Sequence, residues 1–243
     1  MTAEERPAFY ALASGGWRDY WTLLHPPYTA WHLSYVAIGA SVATHFDGGR
    51  LGATVLAFFL AVGLTAHALD ELAGRPLQTR IPDRVLWAIA IVGLVGAVAI
   101  GVVGAVEVSW WLLAFVAAGT FGVIAYNLEL FGGAFHSDLW FAVLWGALPA
   151  LTATFAQDEA IRLPGWLAAT ACLFISLAQR TLSTPVRALR RKVVRVSGEV
   201  ELADGSTRPV TEADLRHAPE LALRTMSLAL PLLAGALVAL RLM

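Results

Sequence analysis

The chain has 243 residues, of which 58% are hydrophobic and 14% are charged, and its formal net charge is −1. Soluble domains carry about 25% charged residues, and the mean hydropathy of this chain is +0.65. The composition therefore predicts an integral membrane protein and excludes a soluble enzyme, a disordered regulator and a nucleic-acid-binding protein. The one cysteine, Cys172, also excludes a disulfide scaffold.

The first 26 residues predict a segment that lies at the membrane interface. Residues 17–21 are rich in Trp and Tyr, whose rings favour the lipid headgroup zone. The prolines at positions 26 and 27 are expected to end that segment. We therefore divide the chain into an N-terminal interfacial segment, residues 1–26, and a single transmembrane domain, residues 27–243.

Apolar runs of about 20 residues predict an all-α, polytopic membrane bundle of about seven transmembrane helices. The runs are 27–44, 51–69, 84–105, 107–126, 137–156, 163–181 and 220–241. If the N-terminus is cytoplasmic, 14 of the 17 basic residues fall inside and only Arg50, Arg162 and Arg241 fall outside. The positive-inside rule thus predicts a cytoplasmic N-terminus and an outer C-terminus, in a membrane such as the bacterial inner membrane.

The one long loop, residues 182–219, is predicted to be cytoplasmic. Its basic run from Arg187 to Lys192 is typical either of an orientation anchor on anionic lipid or of a phosphate contact. The alternating residues 194–210 turn at Asp204-Gly205 and predict a small hairpin. Thr211 and Asp214 predict the cap of a final helix.

Three polar clusters follow the second, fourth and sixth spans, where the predicted topology places them on the cytoplasmic side. Charged groups within membrane helices cost about 2.5–3.5 kcal/mol each and normally face a cavity or a partner. We expect these clusters to line one cavity together with His32 of the first span. The candidate metal ligands are His32, His67, Asp70, Glu71, Glu129, His136 and Asp138. The candidate substrate-binding residues are Arg75, Arg80, Tyr126, Asn127, Arg180 and Arg187.

Asp70 and Glu71 are adjacent at the cytoplasmic end of the second span. Neighbouring side chains on a helix point about 100° apart, so both cannot face one ion equally. His67 shares the helix face of Glu71, offset by about 40°, so a transition-metal site would use that pair. A diphosphate or acid-catalysis site would instead use Asp70, with Glu71 paired to an arginine.

At these clusters the chain resembles the UbiA superfamily of intramembrane prenyltransferases, over about residues 20–190. The family carries an aspartate-rich motif after its second helix, an Arg-Pro-Ile-Pro-like stretch before its third, a tyrosine-containing loop after its fourth and a Trp-Gly-x-x-Pro-like element in its fifth. The corresponding residues here are Asp70-Glu71, Arg75-Pro76 with Ile81-Pro82, Tyr126-Asn127-Leu128-Glu129 and Trp145-Gly146-Ala147-Leu148-Pro149.

The resemblance implies a UbiA-like fold and an enzyme that performs prenyl transfer or terpene cyclisation on an isoprenoid substrate. It implies Mg²⁺ as the cofactor and Asp70 and Glu71 as catalytic residues. We add His67, which shares the helix face of Glu71, as a third catalytic candidate, and expect membrane lipid and a hydrophobic small molecule as partners. The family's second aspartate motif falls at residues 179–183, which contain no acid, so the candidate arginines are expected to replace metal as phosphate clamps.

Two other hypotheses stay open. The histidines and carboxylates would suit an iron-dependent membrane oxidoreductase of the lipid hydroxylase or desaturase type, because imidazole favours transition metals over Mg²⁺. The missing acidic motif would suit a non-catalytic relative that binds lipid or a protein partner.

Overall fold

The computed structural model describes residues 6–243, so residues 1–5 of the predicted interfacial segment lie outside the described part. The helices are α1 Trp17–Leu23, α2 Pro26–Ser41, α3 Gly48–Leu72, α4 Asp83–Glu107, α5 Leu112–Asn127, α6 Asp138–Asp158, α7 Leu163–Arg191 and α8 Glu212–Leu242. A two-stranded antiparallel sheet joins β1, Glu199–Glu201, to β2, Thr207–Pro209.

Within residues 6–243, the helices α2–α8 run alternately between two ends of one bundle. We call the end that carries α1 and the loops 73–82, 128–137 and 192–211 the polar end. The all-α helical prediction is confirmed. Among the described helices, four are long and apolar enough to cross a membrane, namely α3, α4, α6 and α8, and α5 is apolar but shorter. The chain is therefore an integral membrane protein, and the count of seven membrane helices stays a prediction.

Several predicted boundaries are wrong by about one helical turn or more. Helix α5 begins at Leu112 rather than at 107, because residues 108–111 form the turn after α4. Helix α7 continues to Arg191 despite Pro185, and α8 begins at Glu212. The connection between them is thus 192–211, shorter than the predicted loop 182–219. The hairpin and the capping box of Thr211 and Asp214 are confirmed.

Two helices are locally π-helical, α3 at Phe59–Ala66 and α6 at Val143–Ala147. Proline has no backbone N–H, so Pro149 of α6 cannot donate the usual helical hydrogen bond to the carbonyl of Trp145. Segments of this kind are frequent at functional sites. Both lie beside the cavity described below.

Small residues let α2 and α6 approach closely. A Cβ atom added at Gly39 would lie 2.2 Å from the carbonyl oxygen of Ala150. The Thr154 hydroxyl donates a 2.9 Å hydrogen bond to the Gly39 carbonyl. Close backbone approach and such cross-helix hydrogen bonds hold helices together in lipid, where apolar contact gives no net gain. This contact fixes α2, and with it His32, against α6.

Candidate functional site

A cavity of about 630 Å³ opens at the polar end, between α2, α3, α5, α6 and α7, with residues 7–10 at its rim. We call it the polar cavity. Of the candidate residues, it is lined by His32, His67, Asp70, Arg75, Tyr126, Asn127, His136, Arg180 and Arg187. The candidates Glu71, Arg80, Glu129 and Asp138 are not among its lining residues. Three polar clusters that are distant in sequence thus meet largely in one place.

Glu71 is a structural residue at the end of α3. Its side chain is fully buried, and its carboxylate accepts hydrogen bonds from the backbone N–H of Leu77 at 2.9 Å and of Thr79 at 2.9 Å, and from the Thr79 hydroxyl at 2.8 Å. The expected arginine pairing is therefore wrong. The carboxylate instead holds the loop 73–82, whose left-handed residues leave backbone N–H groups to be satisfied.

Asp70, one residue earlier, lines the polar cavity. No hydrogen bond joins its carboxylate to any described residue, and Arg187, Arg191 and His136 line the same cavity. The 100° rotation between adjacent helical residues explains this division. One carboxylate is used by the fold and the other is available to a ligand.

Three histidines of the polar cavity are held in the same way. The Nδ1 atom of His32 lies 3.0 Å from the Trp145 carbonyl, that of His67 lies 3.2 Å from the Gly63 carbonyl, and that of His136 lies 3.0 Å from the Tyr126 carbonyl. A carbonyl oxygen only accepts, so Nδ1 of each ring donates this hydrogen bond, and Nε2 is the ring nitrogen left to contact a ligand. Each carbonyl lies at an irregular point, namely a π-helical segment or the end of α5.

The candidate arginines differ in how far they are already paired. Arg75 pairs with Asp83 and donates to the Ile81 carbonyl at 2.6 Å. Arg180 pairs with Asp138 at 2.8 Å and lies over the ring of Phe141. Arg187 makes only a 3.3 Å hydrogen bond to the Thr184 hydroxyl among the described residues. Arg187 is thus the cavity cation with the most donors left for an anionic ligand.

Arg80 lies outside the polar cavity and is exposed. Its backbone N–H donates to the Asp19 carboxylate at 3.0 Å, and the same carboxylate accepts from the N–H of Gly15 at 2.9 Å. Asp19 is a buried carboxylate that sequence reasoning missed. It joins α1 to the loop 73–82.

Aromatic rings form one wall of the polar cavity. Tyr126 stacks on His136 at a centroid distance of 4.4 Å and contacts Trp145 at 4.6 Å. Trp145 is parallel to Phe141 at 5.8 Å, and Phe141 contacts His32 at 5.7 Å. Such a wall offers apolar surface below the cations. Asn127 takes little part in it, because its amide donates to the Val123 carbonyl of its own helix at 2.7 Å.

Sequence reasoning missed His25 and Tyr10, which complete the opposite wall. His25 stacks on His67 at 4.0 Å and contacts Tyr10 at 5.3 Å. Burial, and then the proximity of His67, Arg191 and Arg187, hold the pKa of His25 well below its usual range. Burial raises the pKa of Tyr10 above its usual range. Both groups are therefore neutral at physiological pH. Neither stands in a sequence pattern that would have singled it out.

The donor set does not fit a metal held mainly by protein side chains. Glu129 is largely exposed and lies 3.8 Å from His136, while Asp138 pairs with Arg180 and Glu71 is committed to the loop 73–82. Among residues 6–243, no group of three His, Cys, Asp or Glu side chains is placed to hold a metal ion. The seven candidate ligands do not form one cluster.

A second, apolar cavity of about 720 Å³ lies at the opposite end of the bundle, between α3, α4, α5 and α6. It is lined mainly by glycine, alanine, valine and leucine. Comparison with known proteins adds no relative to these observations: no family model, no curated protein and no solved structure matches the chain.

Proposed function

We propose that the protein is an intramembrane enzyme that processes an isoprenoid or related lipid substrate in the polar cavity, facing the cytoplasm, by prenyl transfer or terpene cyclisation. The observation that carries the proposal is the placement of Asp70 and Arg187 in one cavity that is continuous with an aromatic wall. A lipid with an anionic head requires this combination of a cationic group and apolar surface in one site.

The proposal assigns the head of the substrate to Arg187. A guanidinium forms paired hydrogen bonds with phosphate oxygens, and this one has most of its donors available. The isoprenoid chain would lie against Tyr126, Trp145 and Phe141, whose faces also stabilise a developing carbocation. Asp70 would accept or deliver the proton that the reaction moves, and His67 lies one helical turn from it.

The proposal does not include an Mg²⁺ ion that is held mainly by protein side chains. Asp70 is the one candidate carboxylate that lines the polar cavity among the described residues. Mg²⁺ usually keeps several waters and takes one or two carboxylates together with substrate phosphates. Kinship with the UbiA superfamily is likewise proposed from the order of the motifs.

Binding of farnesyl diphosphate tests the proposal. We expect purified protein to bind tritiated farnesyl diphosphate saturably, and Arg187→Gln to weaken binding about 10- to 100-fold, because a hydrogen bond to a charged group contributes about 1.5–3 kcal/mol. Arg84→Gln is the matched control, because Arg84 is exposed at the polar end and does not line the cavity. Absence of saturable binding, or equal affinity of the two variants, would contradict the proposal.

An iron-dependent membrane oxidoreductase is the second candidate, and it would have to hold iron with fewer than three His, Cys, Asp or Glu ligands from residues 6–243. It is favoured by the backbone hydrogen bonds at Nδ1 of His32, His67 and His136, since histidines that ligate metals are usually oriented in this way. Metal analysis of protein purified without chelator separates the two. Stoichiometric iron that is lost in His67→Asn would favour the oxidoreductase.

A further inference from the structure

Residues 7–11 lie at the rim of the polar cavity, and we call them the lid. Four of these five residues are buried, although the lid belongs to no helix. The N–H of Ala11 donates to the Ala8 carbonyl at 3.1 Å, which closes the lid into a turn. The ring of Tyr10 contacts that of His25 in the cavity wall at a centroid distance of 5.3 Å. The lid therefore packs against the same wall that a ligand of the cavity would contact.

Hydrogen bonds hold the lid at both of its ends. After its last residue, the N–H of Leu12 donates to a threonine hydroxyl of α1 at 3.0 Å. At its first residue, Nε of Arg191 donates to the Pro7 carbonyl at 3.2 Å. Arg190 donates in the same way to the carbonyl of Arg6 at 3.0 Å. The start of the lid thus depends on arginines at the end of α7.

Arg191 faces the lid and the polar cavity at once. It lines the cavity, and its two Nη groups make no hydrogen bond to any residue among 6–243, since Nε alone donates to Pro7. Arg187 lies one helical turn earlier on α7 and lines the same cavity, so the two guanidinium groups share a helix face. An anionic group between them would accept hydrogen bonds from both while Nε of Arg191 keeps the Pro7 carbonyl.

Buried polar atoms without partners show that the closed position of the lid carries a cost. In the part of the chain from residue 6 onward, four such atoms lie in the polar cavity or next to the lid, namely His25 Nε2, the Tyr126 hydroxyl, Gln179 Oε1 and Arg6 Nε. Each needs its own donor or acceptor, and a buried polar atom that has none is destabilising. Opening of the lid would let water reach these atoms, so closure requires a compensating interaction.

We propose that residues 7–11 form a lid that closes over an anionic head group in the polar cavity, and that Arg191 couples the two events. Its Nη groups would hold the head group while its Nε holds the Pro7 carbonyl. The inference rests on the proposed function, because it requires an anionic head group beside Arg187. A closed lid would keep bulk water from the aromatic wall, where water would otherwise quench a carbocation. Arg191 is thus a substrate-binding residue that also positions the lid.

The rate at which a maleimide labels Ala8→Cys in purified protein tests the lid, because Ala8 is buried in the closed position and the native Cys172 is buried as well. We expect saturating inorganic pyrophosphate to slow labelling about tenfold, since one hydrogen bond to a charged group shifts the equilibrium between open and closed by at least that factor. Adding Arg191→Gln should speed labelling several-fold and abolish protection by pyrophosphate, although Arg187 remains. Arg195→Gln is the matched control, because Arg195 is exposed and does not line the cavity.

Two further reporters make the labelling rates interpretable. Gly48→Cys, which is exposed at the opposite end of the bundle, should label at the same rate with and without pyrophosphate. Ala11→Cys, which is also buried in the lid, replaces Ala8→Cys if that variant does not fold.

Farnesyl diphosphate binding to the same preparations separates the lid from the proposed function. Pyrophosphate that leaves the lid reporter unprotected or speeds its labelling, or protection that persists in Arg191→Gln, overturns the lid, while the proposed function stands if farnesyl diphosphate binds in a way that depends on Arg187. Protection by pyrophosphate in protein that does not bind farnesyl diphosphate supports the lid and contradicts the isoprenoid substrate.

Discussion

The adjacent carboxylates of Asp70 and Glu71 at the end of α3 have different roles. Glu71 satisfies three donors of the loop 73–82, and Asp70 faces the polar cavity without a partner in the described residues. The sequence presents them as one acidic pair. Their separation depends on how the loop folds back over α3, which no local pattern encodes.

The isosteric substitutions Glu71→Gln and Asp70→Asn should therefore differ in their effect on stability, and only the first should destabilise the protein. Glu71→Gln turns an amide N–H₂ group towards backbone donors, and we expect it to lower the free energy of unfolding by about 1.5–3 kcal/mol. A chain of this size loses about 2–4 °C in Tm per kcal/mol. Asp70→Asn should leave Tm unchanged. Thermal unfolding in detergent measures both, and a larger loss in Asp70→Asn would refute this assignment.

At the scale of the helices, the polar cavity depends on the contact between α2 and α6. Gly39 and Ala150 bring the two backbones together, and the same pair of helices carries His32 and its partner Trp145. A change in this spacing moves the imidazole relative to its carbonyl. The helix contact and the direction of the His32 ring are thus coupled.

Gly39→Ala should destabilise the bundle, because the added methyl group would meet the Ala150 backbone at 2.2 Å and the helices must separate. Overpacking of this kind costs about 1–3 kcal/mol. Gly235→Ala in α8 is the control, because a Cβ atom there meets no atom within 4 Å. We expect a Tm several degrees lower for the first variant alone. Equal Tm values in detergent would show that the α2–α6 contact is not tight.

For the whole molecule, the hydropathy pattern and the helix-capping residues in the sequence predict most of the fold. Each apolar run overlaps a helix, and the capping box at Thr211 and the turn at Gly205 stand where their local chemistry places them. The site is only partly predictable. Convergence of Asp70, His136 and Arg187 follows from topology, but His25, Tyr10 and Gln179 enter through tertiary packing that leaves no periodic signal.

The orientation prediction can be tested with single cysteines. The native Cys172 is buried, so Ser206→Cys in the hairpin and Gly48→Cys at the start of α3, both exposed and at opposite ends, report accessibility. The excess of arginine at the polar end predicts that it is cytoplasmic. An impermeant maleimide should then label Gly48→Cys in intact cells and Ser206→Cys only after permeabilisation. The reverse pattern would contradict the orientation.

Photolabelling tests the central claim, that the polar cavity holds the lipid substrate, most directly. A farnesyl diphosphate analogue with a diazirine on its first isoprene unit should crosslink to Tyr126, Phe141 or Trp145, and excess farnesyl diphosphate should prevent it. These rings lie in the cavity that contains Arg187. Labelling confined to the lining of the apolar cavity, such as Phe115 or Val116, or labelling that farnesyl diphosphate does not prevent, would contradict the account.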